Sequence, residues 1–153
     1  KVSTGTVYSY FKDKKEIYMG AYEAYLDSIS TQLFERLDKV QPFCLEYFVN
    51  HWISAYLELY SGAGHALVQL MMIMDDAEIS QHFSGLENKY FLKIGEILGR
   101  NGNTQNNRSE KVYISCVLVD SLRQEKSAFT HNGLDFEALK QQVAKTVVRL
   151  LSE

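Results

Sequence analysis

Apolar residues recur along this chain at the three- and four-residue steps that place them on one side of an α-helix. No segment alternates apolar and polar positions as a half-buried strand does. The pattern predicts a long first helix from Asp13 to about Val40, which at roughly 1.5 Å per residue spans ~40 Å and is long enough to connect two modules. Its apolar stripe is Tyr18, Tyr22, Tyr25, Ile29, Leu33 and Leu37. We therefore predict an all-α fold.

The rest of the chain is predicted to be helical as well. Pro42 suits the first turn of a second helix, which extends to about Tyr60 and is ended by residues 61–64. A compact, almost wholly apolar helix is predicted over residues 65–74, and another begins near Glu78. The polar tract 101–107 is predicted to be a surface loop. Two further helices follow, one from a capping box at Asn107 to about Phe129 and one from Asp135.

The charge of the chain is unevenly distributed, although its net value is only −3. Residues 1–15 contain four lysines and one aspartate, whereas the remainder has 12 basic and 18 acidic residues. A basic end on an acidic body is typical of a protein that presents that end to phosphate groups, and a chance cluster of lysines is the alternative. With 153 residues, 46% of them hydrophobic, the chain is long enough for one well-packed core.

Several other classes of protein are disfavoured by the composition. Cys44 and Cys116 lie within apolar helical patterns, which predicts two buried free thiols in a reducing cytoplasm rather than a disulfide or a metal pair. The longest apolar run, near residues 67–74, is too short to span a membrane. The four histidines show no ligand spacing, and no nucleophile–base arrangement is recognisable. We therefore expect no metal, no cofactor and no enzymatic activity.

The first residues have the pattern of a short helix that contacts nucleic acid. Ser3 can cap this helix, and Val7 and Phe11 lie four residues apart on one face of it. Asp13 ends it and caps the next helix together with Glu16 three residues later. The opposite face presents Thr4, Thr6, Tyr8 and Tyr10. Hydroxyls, aromatic rings and flanking lysines suit contact with a DNA groove and its phosphates.

The segment 2–16, V-S-T-G-T-V-Y-S-Y-F-K-D-K-K-E, resembles the recognition-helix signature of the TetR family of bacterial transcriptional regulators. That signature is V-S-x-G-T-hydrophobic-Y-x-Y-F, then a short polar turn and K-x-E/D-hydrophobic, and it covers about a tenth of the chain. The resemblance implies a partial helix-turn-helix DNA-binding domain with the connecting helix at 1–40, and a helical-bundle ligand-binding and dimerisation domain at 41–153. Family members have two more helices before this segment, so we expect a trimmed protein that binds double-stranded operator DNA only with those helices present.

The resemblance also implies which residues face the DNA. The positions that match are Thr4, Gly5, Thr6, Tyr8, Ser9, Tyr10 and Lys14. Thr6 and Tyr10 are expected to donate to phosphates, and Lys14 adds its charge at the start of the long helix. Thr4, Gly5 and Ser9 are expected near base edges. For Tyr8, packing within the small domain is an alternative to DNA contact.

A high content of aromatic residues and methionines predicts a ligand pocket. The predicted lining residues are Phe48, Trp52, Tyr56, Tyr60, Met71, Met74, Tyr90 and Phe91. The first four recur at four-residue steps on one side of a helix, and this mixture suits a small hydrophobic or aromatic effector. An ordinary core is the alternative interpretation of the pattern; the resemblance favours the pocket.

The last two helices, at 108–129 and 135–152, carry apolar residues on more than one face. Such helices need two neighbours, which either the core or a symmetric four-helix bundle of two subunits supplies. The resemblance favours a homodimer, and it implies a repressor released from its operator by the effector. A helical small-molecule-binding protein or an enzyme without DNA binding remains the alternative function.

Overall fold

The backbone that the structure describes is helical apart from short connections. A computed structural model describes residues 12–60, 77–102, 108–128 and 133–152. These residues form five helices and contain no strand: α1 (Lys14–Asp38), α2 (Leu45–Leu59), α3 (Ala77–Arg100), α4 (Arg108–Ala128) and α5 (Phe136–Ser152). The predicted all-α class is confirmed to this extent. The predicted recognition helix and the predicted helix at 65–74 lie outside the described residues, and the domain boundary at residue 40 stays a prediction.

The start of α1 is determined by the side chains predicted to cap it. Asp13 has an extended backbone, with φ −152° and ψ 178°, and its Oδ1 accepts a hydrogen bond from the Glu16 N–H at 2.9 Å. The Glu16 carboxylate in turn accepts the Lys12 N–H at 2.6 Å, one residue further back than in a standard capping box. Two N–H groups that lack helical partners are thereby satisfied. At the other end, Asp38 is the last residue of α1, close to the predicted limit.

The start of α2 differs from the prediction. Pro42 was expected in the first turn of α2, but the helix begins at Leu45, with Cys44 extended at the N-cap position. The Phe43 ring packs on Phe48 with ring centroids 5.4 Å apart, so these preceding residues follow the surface of the core instead of turning into the helix. Cys44 is consequently exposed, and the prediction of two buried thiols is wrong for this residue. It is confirmed for Cys116, and both thiols are free.

Helix α2 lies at the centre of the packing. It contacts α1, α4 and α5, while α3 packs against α1 and α4, and α4 against α5. The largest fully buried side chains come from four helices: Leu33, Leu37, Phe48, Val49, Trp52, Ile53, Ile94, Ile97, Leu98, Val119 and Leu122. Helix α5 adds Ala144, Val147 and Leu151 to the same core. One continuous core therefore joins all five helices.

Two ion pairs at the surface connect the end of α1 to its neighbours. Arg36 donates two hydrogen bonds to the Glu58 carboxylate on α2, at 3.0 and 3.2 Å. Arg100, at the end of α3, donates to Asp38 at 2.5 Å. All four side chains are more than a third exposed, so each pair adds only about 0–1 kcal/mol to stability. The core, rather than these pairs, holds α1 in place.

None of the described helices combines the length and the apolar content needed to cross a bilayer.

Replacing Leu33 tests the role of α1 in the core. Leu33 is fully buried and Leu92 is 70% exposed. We expect Leu33→Ala to lower the free energy of unfolding by about 2–5 kcal/mol, because it removes buried methyl groups and leaves a cavity. Leu92→Ala should change it by less than about 0.5 kcal/mol. Urea denaturation followed by circular dichroism measures both, and equal effects would mean that α1 does not contribute to the core.

Candidate ligand site in the aromatic core

Six of the eight residues predicted to line a ligand pocket come together in the structure. Their rings form two sets of contacts, which we together call the aromatic cluster: Phe48–Trp52 at 6.3 Å, and Tyr56–Tyr60 at 4.3 Å, Tyr56–Tyr90 at 6.0 Å and Tyr90–Phe91 at 6.0 Å between centroids. A hydrogen bond between Trp52 and Tyr90 joins the two sets. Three of the six residues lie on α2, Tyr60 follows at the C-cap of that helix, and Tyr90 and Phe91 lie on α3. The other two predicted residues, Met71 and Met74, lie outside the described residues.

The aromatic cluster extends from the main core to its border. Phe48 and Trp52 are fully buried, whereas Tyr60, Tyr90 and Phe91 are partly buried and pack against the core from one side. Phe34 of α1, which the sequence analysis did not select, reaches the same group, with its ring 5.9 Å from that of Tyr90. The deep end of the aromatic cluster is therefore packed core, and its other end lies at the border of that core.

The polar groups of the deep end are satisfied within the protein. The Trp52 indole Nε1 donates to the Tyr90 hydroxyl at 2.7 Å. Burial raises the pKa of Tyr90 well above its ordinary value, and the hydrogen bond from Trp52 opposes that change only in part. Because a buried indole N–H without an acceptor is costly, this bond determines how α3 lies against α2.

A second hydrogen-bonded group joins α2 to α4. The Tyr56 hydroxyl donates to Asp120 Oδ1 at 2.6 Å. Arg123 donates to the same carboxylate through Nε at 2.8 Å and through Nη2 at 3.3 Å. Burial, followed by the charge of Asp120, raises the pKa of Tyr56 well above its ordinary value. Burial alone would lower the pKa of Arg123, but its bonds and attraction to Asp120 outweigh burial and raise it.

Helix α1 completes this polar group with Tyr25 and Ser30. Burial raises the pKa of Tyr60 to about 12, and a hydrogen bond with the Ser30 hydroxyl opposes the increase. Burial also raises the pKa of Tyr25, which the nearby Arg123 charge opposes. We call Tyr25, Ser30, Tyr56, Tyr60, Asp120 and Arg123 the polar end of the site. It is the place where α1, α2 and α4 meet.

Most residues of the polar end were not predicted from the sequence to be site residues. Tyr25 was assigned only to the apolar stripe of α1, and Ser30, Asp120 and Arg123 were not selected. One signal was present, because Asp120 and Arg123 form a charged pair at i and i+3 in the apolar helix α4. Neither residue can be assigned to the aromatic cluster without knowing how α4 packs on α2.

The chemistry of the site favours binding over proton transfer. The phenols of Tyr25, Tyr56, Tyr60 and Tyr90 all have raised pKa values, so they are neutral near pH 7. Burial raises the pKa of the Cys116 thiol as well, which keeps it protonated and unreactive. Within the described ranges no cluster of side chains suited to a metal ion is found. Flat apolar walls beside a group of neutral hydroxyls suit a small aromatic ligand.

A separate groove of about 490 Å³ lies between α2 and α5, away from the aromatic cluster. It is open to solvent, and its lining combines apolar, amide and charged side chains: Glu46, Asn50, Gln141, Ala144, Lys145, Val148 and Arg149. This mixture is typical of an ordinary surface furrow between two helices rather than of an enclosed ligand pocket.

Of the residues predicted to face DNA, the structure describes one. Lys14 is the first residue of α1, and it is exposed beside the capped N-terminus of that helix. Thr4, Gly5, Thr6, Tyr8, Ser9 and Tyr10 lie outside the described residues.

The chain matches no protein-family model, no curated protein and no solved structure.

The raised pKa of Tyr60 predicts that the fold loses stability at alkaline pH. Between about pH 10 and about pH 12 the unfolded chain releases the Tyr60 proton and the folded chain keeps it. The free energy of unfolding should therefore fall as pH rises, by up to about 1.4 kcal/mol per pH unit from this residue alone. Urea denaturation at a series of pH values should show a smaller fall for Tyr60→Phe. The free energy of unfolding of Tyr47→Phe, which lacks a surface hydroxyl, should fall as much as that of the unaltered protein. Equal falls for all three proteins would contradict the assignment of the raised pKa to Tyr60.

Proposed function

We propose that this protein is a TetR-like transcriptional regulator that binds DNA as a homodimer and responds to a small hydrophobic or aromatic ligand. The observation that carries the proposal is the segment V-S-T-G-T-V-Y-S-Y-F followed by D-K-K-E, which resembles the recognition helix of that family. The described part of the chain supports it at one point, since α1 begins at Lys14, immediately after that segment, with the cap at Asp13 that the motif predicts. The proposed recognition helix would thus be joined directly to α1.

The surface of α4 supports a homodimer. Tyr113, Ile114 and Val117 lie on the side of α4 opposite its buried residues, and they are 46–52% exposed. On the adjacent α5, Leu139 and Val143 are only partly buried. Apolar faces on two helices that pack against each other suit a two-fold four-helix bundle made by α4 and α5 of each subunit. Such a dimer would pair two recognition helices for a near-palindromic operator.

The contacts of α1 suggest how a ligand would control DNA binding. At one end α1 carries Lys14, and further along it contributes Tyr25, Ser30 and Phe34 to the candidate site. A ligand bound there would favour one packing of α1 against α2 and α4. A shift of α1 would then change the distance between the two recognition helices, and ligand binding and DNA release would be coupled reciprocally.

DNA binding can be tested with the protein expressed together with any residues that its gene encodes before Lys1. We expect selection from random duplexes to yield a near-palindromic site bound with strong salt dependence. Lys14→Ala should weaken binding and reduce the salt slope by about one unit, because one phosphate contact is lost. Lys145→Ala removes an exposed lysine from α5 and should leave both unchanged. If the protein selects no DNA yet binds small molecules, the regulator proposal is wrong and a helical ligand-binding protein or enzyme is favoured.

The proposed dimer can be tested by placing a charge on the exposed face of α4. Val117→Glu should convert a dimer into a monomer in sedimentation velocity experiments, since it places carboxylates opposite each other in the proposed interface. Leu92→Glu alters another exposed leucine, on α3, and should leave the dimer intact. Circular dichroism should show that both variants remain helical. A dimer that survives Val117→Glu would mean that the subunits associate elsewhere.

A further inference from the structure

Three groups at the polar end have hydrogen-bond donors that the described protein does not use. The Arg123 side chain is only 12% exposed, and of its five N–H donors two bind Asp120 and one lies against the Tyr56 phenol. At least two donors of a largely buried guanidinium are therefore without an acceptor among the described residues. Groups of this kind are rarely left unsatisfied.

The other two groups with donors are the phenols beside Arg123, Tyr60 and Tyr25. A hydrogen bond with the Ser30 hydroxyl lowers the pKa of Tyr60, and a hydroxyl that donates to the phenol oxygen leaves the Tyr60 O–H free to donate elsewhere. Within the described ranges the Tyr25 hydroxyl makes no hydrogen bond, and the Arg123 charge is close enough to lower the pKa of both phenols. The three donors therefore belong to one neighbourhood, contributed by α1, α2 and α4.

The electrostatic balance of this neighbourhood limits what it can bind. Asp120 neutralises Arg123, and its carboxylate already accepts the Tyr56 hydroxyl and two guanidinium N–H groups. The groups left over are donors, so a ligand that offers another donor would gain little. A ligand that offers an acceptor oxygen would satisfy them.

A flat ring is the ligand group that fits beside these donors. Tyr56 and Tyr60 are stacked with centroids 4.3 Å apart and an interplanar angle of 27°, so the apolar wall beside the donors consists of phenol faces. Aromatic rings pack well against such faces in an offset or edge-on arrangement.

We propose that the polar end is the subsite that orients the effector, and that it binds an acceptor oxygen, carbonyl or carboxylate, carried directly on an aromatic ring. Arg123, Tyr25 and Tyr60 donate to this oxygen, and the ring lies against the Tyr56–Tyr60 stack. The inference rests on the proposed function only in treating this site as the effector site.

Trp52 provides a measurement confined to this site. It is the one tryptophan of the chain, and its Nε1–H bonds Tyr90, which contacts Tyr56. The ¹H–¹⁵N NMR spectrum therefore contains a single indole resonance, and its shift during a titration reports binding at the aromatic cluster. Three probes with the same rings separate the chemistry: 1-acetonaphthone is a neutral ketone, 1-naphthoate is a carboxylate, and 1-ethylnaphthalene has no acceptor.

We expect the ketone, the carboxylate or both to shift the indole resonance with a Kd at least about 5-fold lower than that of 1-ethylnaphthalene, since one hydrogen bond contributes about 1 kcal/mol. Tyr60→Phe and Tyr25→Phe should each weaken binding of the acceptor probes about 3–10-fold and leave 1-ethylnaphthalene unchanged. Tyr47→Phe, which removes an exposed hydroxyl from α2, should change nothing.

Each result decides a separate point. Preference for the carboxylate would assign the dominant role to the Arg123 charge, and preference for the ketone would assign it to the neutral phenols. Equal affinity for all three probes, no binding of either acceptor probe, or an equal loss for 1-ethylnaphthalene in the phenol variants would overturn the proposal. DNA binding is measured independently, so acceptor-selective binding without DNA affinity would contradict the regulator and leave this subsite standing.

Discussion

The arrangement of the helices depends on the polar atoms that α2 carries into the core. Trp52, Tyr56 and Tyr60 follow one another at four-residue steps on one side of α2. Trp52 bonds Tyr90 on α3, Tyr56 bonds Asp120 on α4, and Tyr60 meets Ser30 on α1. A buried N–H or O–H left without a partner costs about 1–3 kcal/mol, more than a typical hydrogen bond contributes net, so these contacts favour the packing in which each partner faces α2.

The same constraint explains why the site is polar at one end only. Near Trp52 the apolar side chains of several helices close around α2, and the single indole N–H is fully satisfied. At Tyr60, the last turn of α2, three helices meet and bring phenols and an ion pair together. Burial keeps the phenols neutral, while Asp120 keeps Arg123 charged. The result is a group of donors beside flat apolar walls, an arrangement that suits the proposed ligand.

In the proposed regulator, α1 would connect the site to the DNA-binding end and α4 would connect it to the second subunit. The described part of α1 extends from Lys14, at the proposed DNA-binding end, to Leu33 and Leu37 in the core. Helix α4 carries Asp120 and Arg123 at the site, and it presents Ile114 and Val117 to solvent. The polar end touches both helices, so a ligand there would act on the connection to DNA and on the proposed subunit contact through the same few side chains.

Local chemistry along the chain was sufficient to predict most of the helices. The carboxylates of Asp13 and Asp135 accept N–H groups at the starts of α1 and α5, as a helix cap requires, and apolar spacing located the six clustered aromatic residues. It failed at Pro42 and Cys44, where packing of Phe43 on the core delays the start of α2. It also missed Ser30, Asp120 and Arg123. Caps and stripes arise from residues three or four positions apart, whereas these partners are 30 and 64 positions from the tyrosines they meet and are brought together only when the helices pack.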